Sequence, residues 1–172
     1  RIFGSPVDHV TMHNVEGARA ATNLLIEKGA RRIAVICAHA GEVVGSAQLR
    51  TEGYVQALEE NGIAVDPDLI REAGLWHRAT GAQALFDLIA DGVEFDAVFA
   101  LNDAMALGVI YALQVSGKKI PADVLVIGFD DIDDANYSFP TLTSVKPGRE
   151  EIARTSVDLL KERIDNPGAQ HA

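Results

Sequence analysis

The sequence has 172 residues, a formal net charge of -10 and an apolar share of 48%. That length suits one domain with its own core and no need of disulfide staples. The acidic balance argues against this piece gripping nucleic-acid phosphates itself, because such binding rests on clustered Lys and Arg, and leaves room for a basic module elsewhere on a longer chain. Cys37 is the single cysteine, so no intrachain disulfide forms and a reducing compartment suits the chain. No apolar run is long enough to span a bilayer. The first eight residues lack the apolar core and cleavage site of a signal peptide.

Apolar periodicity alternates between short β-rich runs and helical stretches. Residues 10–12 read as a short extended piece. Residues 15–28 read as a helix with Ala18, Ala21, Leu24 and Leu25 on its buried stripe, stopped by Gly29. Residues 32–37 form a continuous apolar strand of the kind buried on both faces of a parallel sheet. A helix over 46–61 follows, capped by Ser46 and stopped at Gly62. Residues 68–73 make a weaker strand. A helix over 79–91 ends at Gly92, a strand spans 97–101, and a helix over 103–116 ends at Gly117. A strand over 125–129, a short extended stretch over 141–145 and a last helix over 150–164 complete the pattern. Alternating strands and helices predict an α/β fold with a doubly wound parallel sheet. Residues 1–12 and 141–172 do not extend the alternation. They read as segments crossing out of the lobe that residues 13–140 build.

In an open parallel sheet, ligands bind beyond the carboxyl ends of the strands. That rule selects Ser46 and Arg50, four apart on one helix face, then Trp76 and His77, Asn102 and Asp103, and Asp130 and Asp131. Together they suit a polyhydroxylated ligand: polar side chains fix hydroxyls, and an aromatic face packs on a sugar ring. Each residue also has a plainer reading. Asn102 and Asp103 serve equally as a helix cap, Asp130 and Asp131 as turn residues, and Arg50 as a solvated helix residue. Trp76 reads as a half-buried edge anchor, and Ser46 as a cap. Convergence on one rim favours the binding reading.

Enzyme constellations are poor. The stretch 41–45 is glycine-rich but lacks the lysine of a P-loop, and no GxGxxG follows a strand. His9, His13, His39, His77 and His171 lack metal-ligand spacing. No GxSxG elbow is present. No cofactor, metal or catalytic residue is expected.

At the same residues the chain resembles the LacI/GalR family of bacterial transcription regulators. SAQLR followed by Gly53 and Tyr54 resembles the family's Arg before a Gly-aromatic pair. LNDAMALG (101–108), VIGFDDI (126–132), PTLTSV (140–145) and HNVEGARAATNLLIEKGARRIAVI (13–36) look like family phrases in the right order. The resemblance implies a two-lobed, periplasmic-binding-protein-like (type I) sensor, of which this chain holds the C-terminal lobe and part of the crossings. It implies that the N-terminal lobe and a helix-turn-helix that reads operator DNA lie outside this chain. It further implies effector contacts from Arg50, Trp76, Asn102 and Asp130, with Ser46 as a further candidate. The effector is a small polar molecule, a sugar ahead of a purine. Homodimer contacts would fall near 77–83, 105–112 and 134–137. Binding would alter operator affinity in a cytoplasmic repressor with no membrane partner. Three features depart from the family's pattern: the CAHAGEVVG loop (37–45), Leu101 in place of a small residue, and Trp76 where some members carry Phe. Two other classes compete, a free solute-binding protein for a transporter and an enzyme on a related α/β fold.

Overall fold

A computed structural model describes residues 7–38 and 45–168; His39, His171 and most of the glycine-rich loop lie outside them. Five parallel strands form one sheet in the order β2-β1-β3-β4-β5. They are β1 (Ile33–Ala38), β2 (Ile70–Glu72), β3 (Ala97–Ala100), β4 (Leu125–Phe129) and β5 (Thr143–Val145). The central strand β3 carries no polar side chain, and all four of its residues are buried. That composition is what a strand covered on both faces requires.

The long helices are α1 (Asn14–Glu27), α2 (Ser46–Glu60), α3 (Arg78–Ala90), α4 (Asp103–Val115) and α6 (Arg149–Asp165); α5 (Asp134–Tyr137) is a single turn. Helices α1 and α2 pack on each other, as do α3 and α4, and both pairs also contact strands of the sheet. This is the doubly wound arrangement expected from the alternation. Helix α1 buries Ala18, Ala21 and Leu25 on one stripe. Gly29 ends it at φ 102°, a left-handed backbone that costs a residue without Cβ little. The other expected stops, Gly62, Gly92 and Gly117, also sit at positive φ.

Close helix packing needs glycine at two further places. A Cβ on Gly53 of α2 would lie 2.2 Å from the Val15 carbonyl oxygen of α1. A Cβ on Gly108 of α4 would lie 2.0 Å from the Arg78 carbonyl oxygen of α3.

Local differences from the sequence reading have simple causes. Residues 10–12 are not a strand: the Met12 carbonyl turns to accept from the Asn14 amide at 2.9 Å, which starts α1. The weak strand at 68–73 begins as a 3-10 turn, Pro67–Leu69, because the Asp66 side chain accepts from the Asp68 amide; β2 follows. Strand β5 pairs with β4 with Phe129 beside Val145, whereas α6 buries no residue. Arg163 of α6 reaches back to Asp8, with its Nη2 at 2.9 Å and 3.0 Å from the two carboxylate oxygens. The two ends of the described chain are therefore tied to each other. Among the described residues no helix is long and apolar enough to cross a membrane.

Candidate functional site

The chain runs from β1 outward to β2 and then returns to β3 on the other side of β1. The topological switch point therefore lies between the carboxyl ends of β1 and β3, where open α/β sheets bind ligands. Helix α2, which follows β1, carries Arg50 to this place.

Arg50 is only 2% exposed. A guanidinium has five N–H donors in a fixed fork, and here the fork is engaged on every side. Nε donates to Asn14 Oδ1 at 3.0 Å, and Nη1 donates to the Leu101 carbonyl at the end of β3. Nη2 faces Asp130 Oδ1 at 3.4 Å and Met12 Sδ at 3.2 Å. Its flat face lies on the Phe129 ring, with Cζ 3.6 Å from the centroid, and the Trp76 ring is 5.4 Å away. A buried cation is tolerable only when paired and hydrogen-bonded, and these contacts meet that condition. The reading of Arg50 as a solvated helix residue is thereby overturned.

Asp130 follows β4 in a conformation unusual for a residue with a side chain. Its φ is 116°, and that of Asp131 is 52°. Such backbone costs on the order of 1–3 kcal/mol and persists where the surroundings hold it. The Asp130 amide donates to the Val145 carbonyl at 3.0 Å, and the Asp131 amide donates to Ser144 Oγ at 3.0 Å. The turn aims Asp130 at Arg50 while leaving its carboxyl one-third exposed. Burial pushes the Asp130 carboxyl above the usual carboxylate range, and the Arg50 charge opposes that rise.

Asn102 does what its plainer reading said: its Oδ1 accepts from the Met105 amide at 2.8 Å and caps α4. Its Nδ2 also donates to the Trp76 carbonyl at 3.4 Å, so the cap anchors the loop that carries Trp76. Trp76 itself is half-buried against the core.

Ser46 is a correction. Gly45 is the N-cap of α2, with no side-chain cap bond, and Ser46 is the first helical residue. The extended backbone that a cap requires belongs to Gly45, at φ -149°. Ser46 lines a hollow of about 280 Å³ with His9, Val10, Thr11, Met12, Asn14 and Ile152. Arg50, Trp76, Asn102 and Asp130 thus gather at the switch point, and Ser46 lines the hollow beside it, which it shares with the Arg50 partners Met12 and Asn14.

The sequence reading missed Asn14, Met12 and Phe129. Asn14 is 4% exposed and positions Arg50 from 36 residues away. It lies within the HNVEGARAA phrase, where a polar residue at the mouth of an otherwise apolar stripe was the available signal. Asp103, fully buried, accepts from Ser144 Oγ at 2.6 Å and from the Ile132 amide at 2.9 Å. Burial raises its carboxyl above the usual range, against the pull of those hydrogen bonds.

Chemically, the rim offers a carboxylate held by a buried cation, beside an indole. A carboxylate has about four lone-pair positions, so Asp130 can serve Arg50 and also accept from ligand hydroxyls. No group of His, Cys, Asp and Glu among the described residues could hold a metal ion.

Residues 22–172 match the periplasmic binding protein-like domain family. The chain is 33% identical over 166 residues to the HTH-type transcriptional repressor PurR of Pasteurella multocida, covering 96% of this chain and 48% of that protein. Its fold matches a LacI-family transcriptional regulator from Sanguibacter keddieii with a TM-score of 0.93 and 46% identity, covering 100% of this chain and 63% of that one. It matches the transcriptional regulator CelR in complex with cellobiose with a TM-score of 0.90 and 34% identity, covering 100% of this chain and 53% of that one. The chain thus spans about half the length of the curated relative, and these matched proteins are transcription regulators rather than enzymes.

Proposed function

Because the chain belongs to the periplasmic binding protein-like domain family, in the form carried by LacI-type transcription regulators, we propose that it is one wall of an effector sensor. The ligand is a small sugar, held in a cleft between this lobe and a second one. Asp130 accepts from its hydroxyls, Asn102 donates, Arg50 holds the Asp130 carboxylate in place from behind, and the Trp76 ring packs on its apolar face. The observation that carries this reading is the pairing of the buried Arg50 with the part-exposed Asp130, assembled at the switch point of the sheet from α2 and the turn after β4. The cellobiose bound to a structural neighbour supports a sugar as the ligand class.

Residues 1–12 and 141–172 lead to and from the second lobe, with β5 still pairing with β4 before the chain leaves the sheet. The Arg163–Asp8 pair supports this, as do the exposed Val157, Leu160 and Ile164 of α6. The complete protein acts in the cytoplasm as a homodimer, and sugar binding shifts its lobes and so its affinity for operator DNA. In a mobility-shift assay, the complete protein binds DNA from its own control region and a cognate sugar changes that affinity. DNA binding that no sugar in a panel of mono- and disaccharides alters would refute the reading.

A further inference from the structure

The left-handed turn at Asp130 and Asp131 has no glycine to ease it, so something outside the turn must hold it. Two groups do. Ser144 Oγ accepts the Asp131 amide at 3.0 Å, and Asp103 Oδ2 accepts the Ile132 amide at 2.9 Å. The two groups are themselves joined, because Ser144 Oγ donates to Asp103 Oδ1 at 2.6 Å. The hydroxyl's one proton lies on that short contact rather than on the Val145 carbonyl at 3.5 Å. Its lone pair is therefore turned toward Asp131, so the carboxylate of Asp103 sets the direction in which Ser144 can accept.

Space leaves little slack in this arrangement. Asp103 is fully buried, and a Cβ on Gly128 would lie 2.2 Å from Asp103 Oδ1. The pair also joins three elements. Asp103 is the first residue of α4, Ser144 lies in β5, and the turn follows β4.

We propose that Asp103 and Ser144 are the positioning residues of Asp130: a hydroxyl–carboxylate pair, its carboxylate fully buried, that pins the two amides after it and so fixes its carboxyl against Arg50. Neither residue touches the ligand. Since Ser144 belongs to the strand that leads toward α6, the pair also ties the rim to the chain's exit from the sheet. The inference rests on the proposed binding role of Asp130, but its test does not need a ligand.

The cleaner variant is Ser144→Ala, because it changes no charge. Asp130 is faced by Arg50, Asp103 and Arg149, and all three survive the substitution. Two quantities are read by NMR on the wild-type chain and on S144A: exchange of the Asp131 amide, and the titration midpoint of the Asp130 carboxyl carbon. Exchange should quicken roughly tenfold on loss of one hydrogen bond. The Asp130 midpoint should move, because a released turn changes both the burial that raises it and its distance from Arg50. Ser144→Thr, which keeps the hydroxyl, should restore both. Should S144A fail to fold, Ser144→Cys, with its weaker donor, should move both quantities the same way by less.

Faster exchange at Asp131 with an unmoved Asp130 midpoint would overturn the proposal, leaving the pair a structural role alone. If Asp130 shifts as expected while no sugar binds the complete protein, the positioning stands and the sugar-sensing reading fails.

Discussion

The guanidinium of Arg50 lies flat on the ring of Phe129, with Cζ 3.6 Å from the ring centroid. Phe129 closes β4 and Asp130 comes next, so the residue that stacks on the cation is bonded to the residue that pairs with it. Stacking offsets part of the cost of burying the charge, and the paired carboxylate offsets more. One guanidinium thereby joins α1 through Asn14, β3 through Leu101 and the β4 turn through Asp130.

Breaking that junction should be costly. Arg50→Ala strands the Asn14 and Leu101 acceptors and leaves Asp130 without its cation. Loss of one partner of a buried pair costs about 3–5 kcal/mol, and the low end applies because Asp130 is one-third exposed. Arg50→Lys should recover little, since a point-like ammonium cannot reach three separated acceptors or stack on Phe129. Urea unfolding of the two variants against wild type measures both losses.

Helix propensity and helix contact should pull in opposite directions at Gly53 and Gly108. Ala in a helix interior is favoured over Gly by about 1 kcal/mol. The new Cβ would meet a backbone carbonyl oxygen at 2.2 Å in one case and 2.0 Å in the other, and backbone cannot swing away. Overpacking of this kind costs about 1–3 kcal/mol. Gly53→Ala and Gly108→Ala should therefore lower the thermal midpoint, whereas Ala at the open, exposed Gly74 should not lower it through any clash.

The pH dependence follows from Asp103. Burial raises its carboxyl above the ordinary 3.8, so the folded chain holds this proton more tightly than the unfolded one. The folded state then binds more protons, and stability falls as pH rises. The fall begins near the ordinary carboxylate value and levels off above the raised one. Asp130 is raised as well and adds to the same trend. Asp103→Asn removes one titration. The stability of wild type relative to D103N should therefore decline as pH climbs through that window. A relative stability that rose with pH would show that the hydrogen bonds from Ser144 and Ile132 outweigh burial.

Much of the fold was legible because the sequence spends its apolar residues periodically. The β3 run Ala97–Ala100 is buried throughout, and each of the four helix-ending glycines lies at positive φ. The rim was legible too, since strand ends mark it and Arg50, Trp76, Asn102 and Asp130 all meet there. Contacts between remote residues of modest character were not. Asn14 and Ser144 look like ordinary polar residues at a helix start and in a short strand. Their roles come from partners 36 and 41 residues away, a distance that periodicity does not encode. Ser46 was misread because Ser is a common cap and the extended backbone of Gly45 leaves no mark in the sequence.

Isothermal calorimetry of the complete protein tests the central claim most directly. The titrants are a panel of mono- and disaccharides, cellobiose included, and a panel of purine bases, against wild type and Asp130→Asn. The account predicts that a sugar binds saturably to wild type. It predicts at least roughly tenfold weaker binding to D130N, as the loss of a hydrogen bond to a charged group implies. Binding of a purine alone, or a sugar affinity unchanged in D130N, would contradict it.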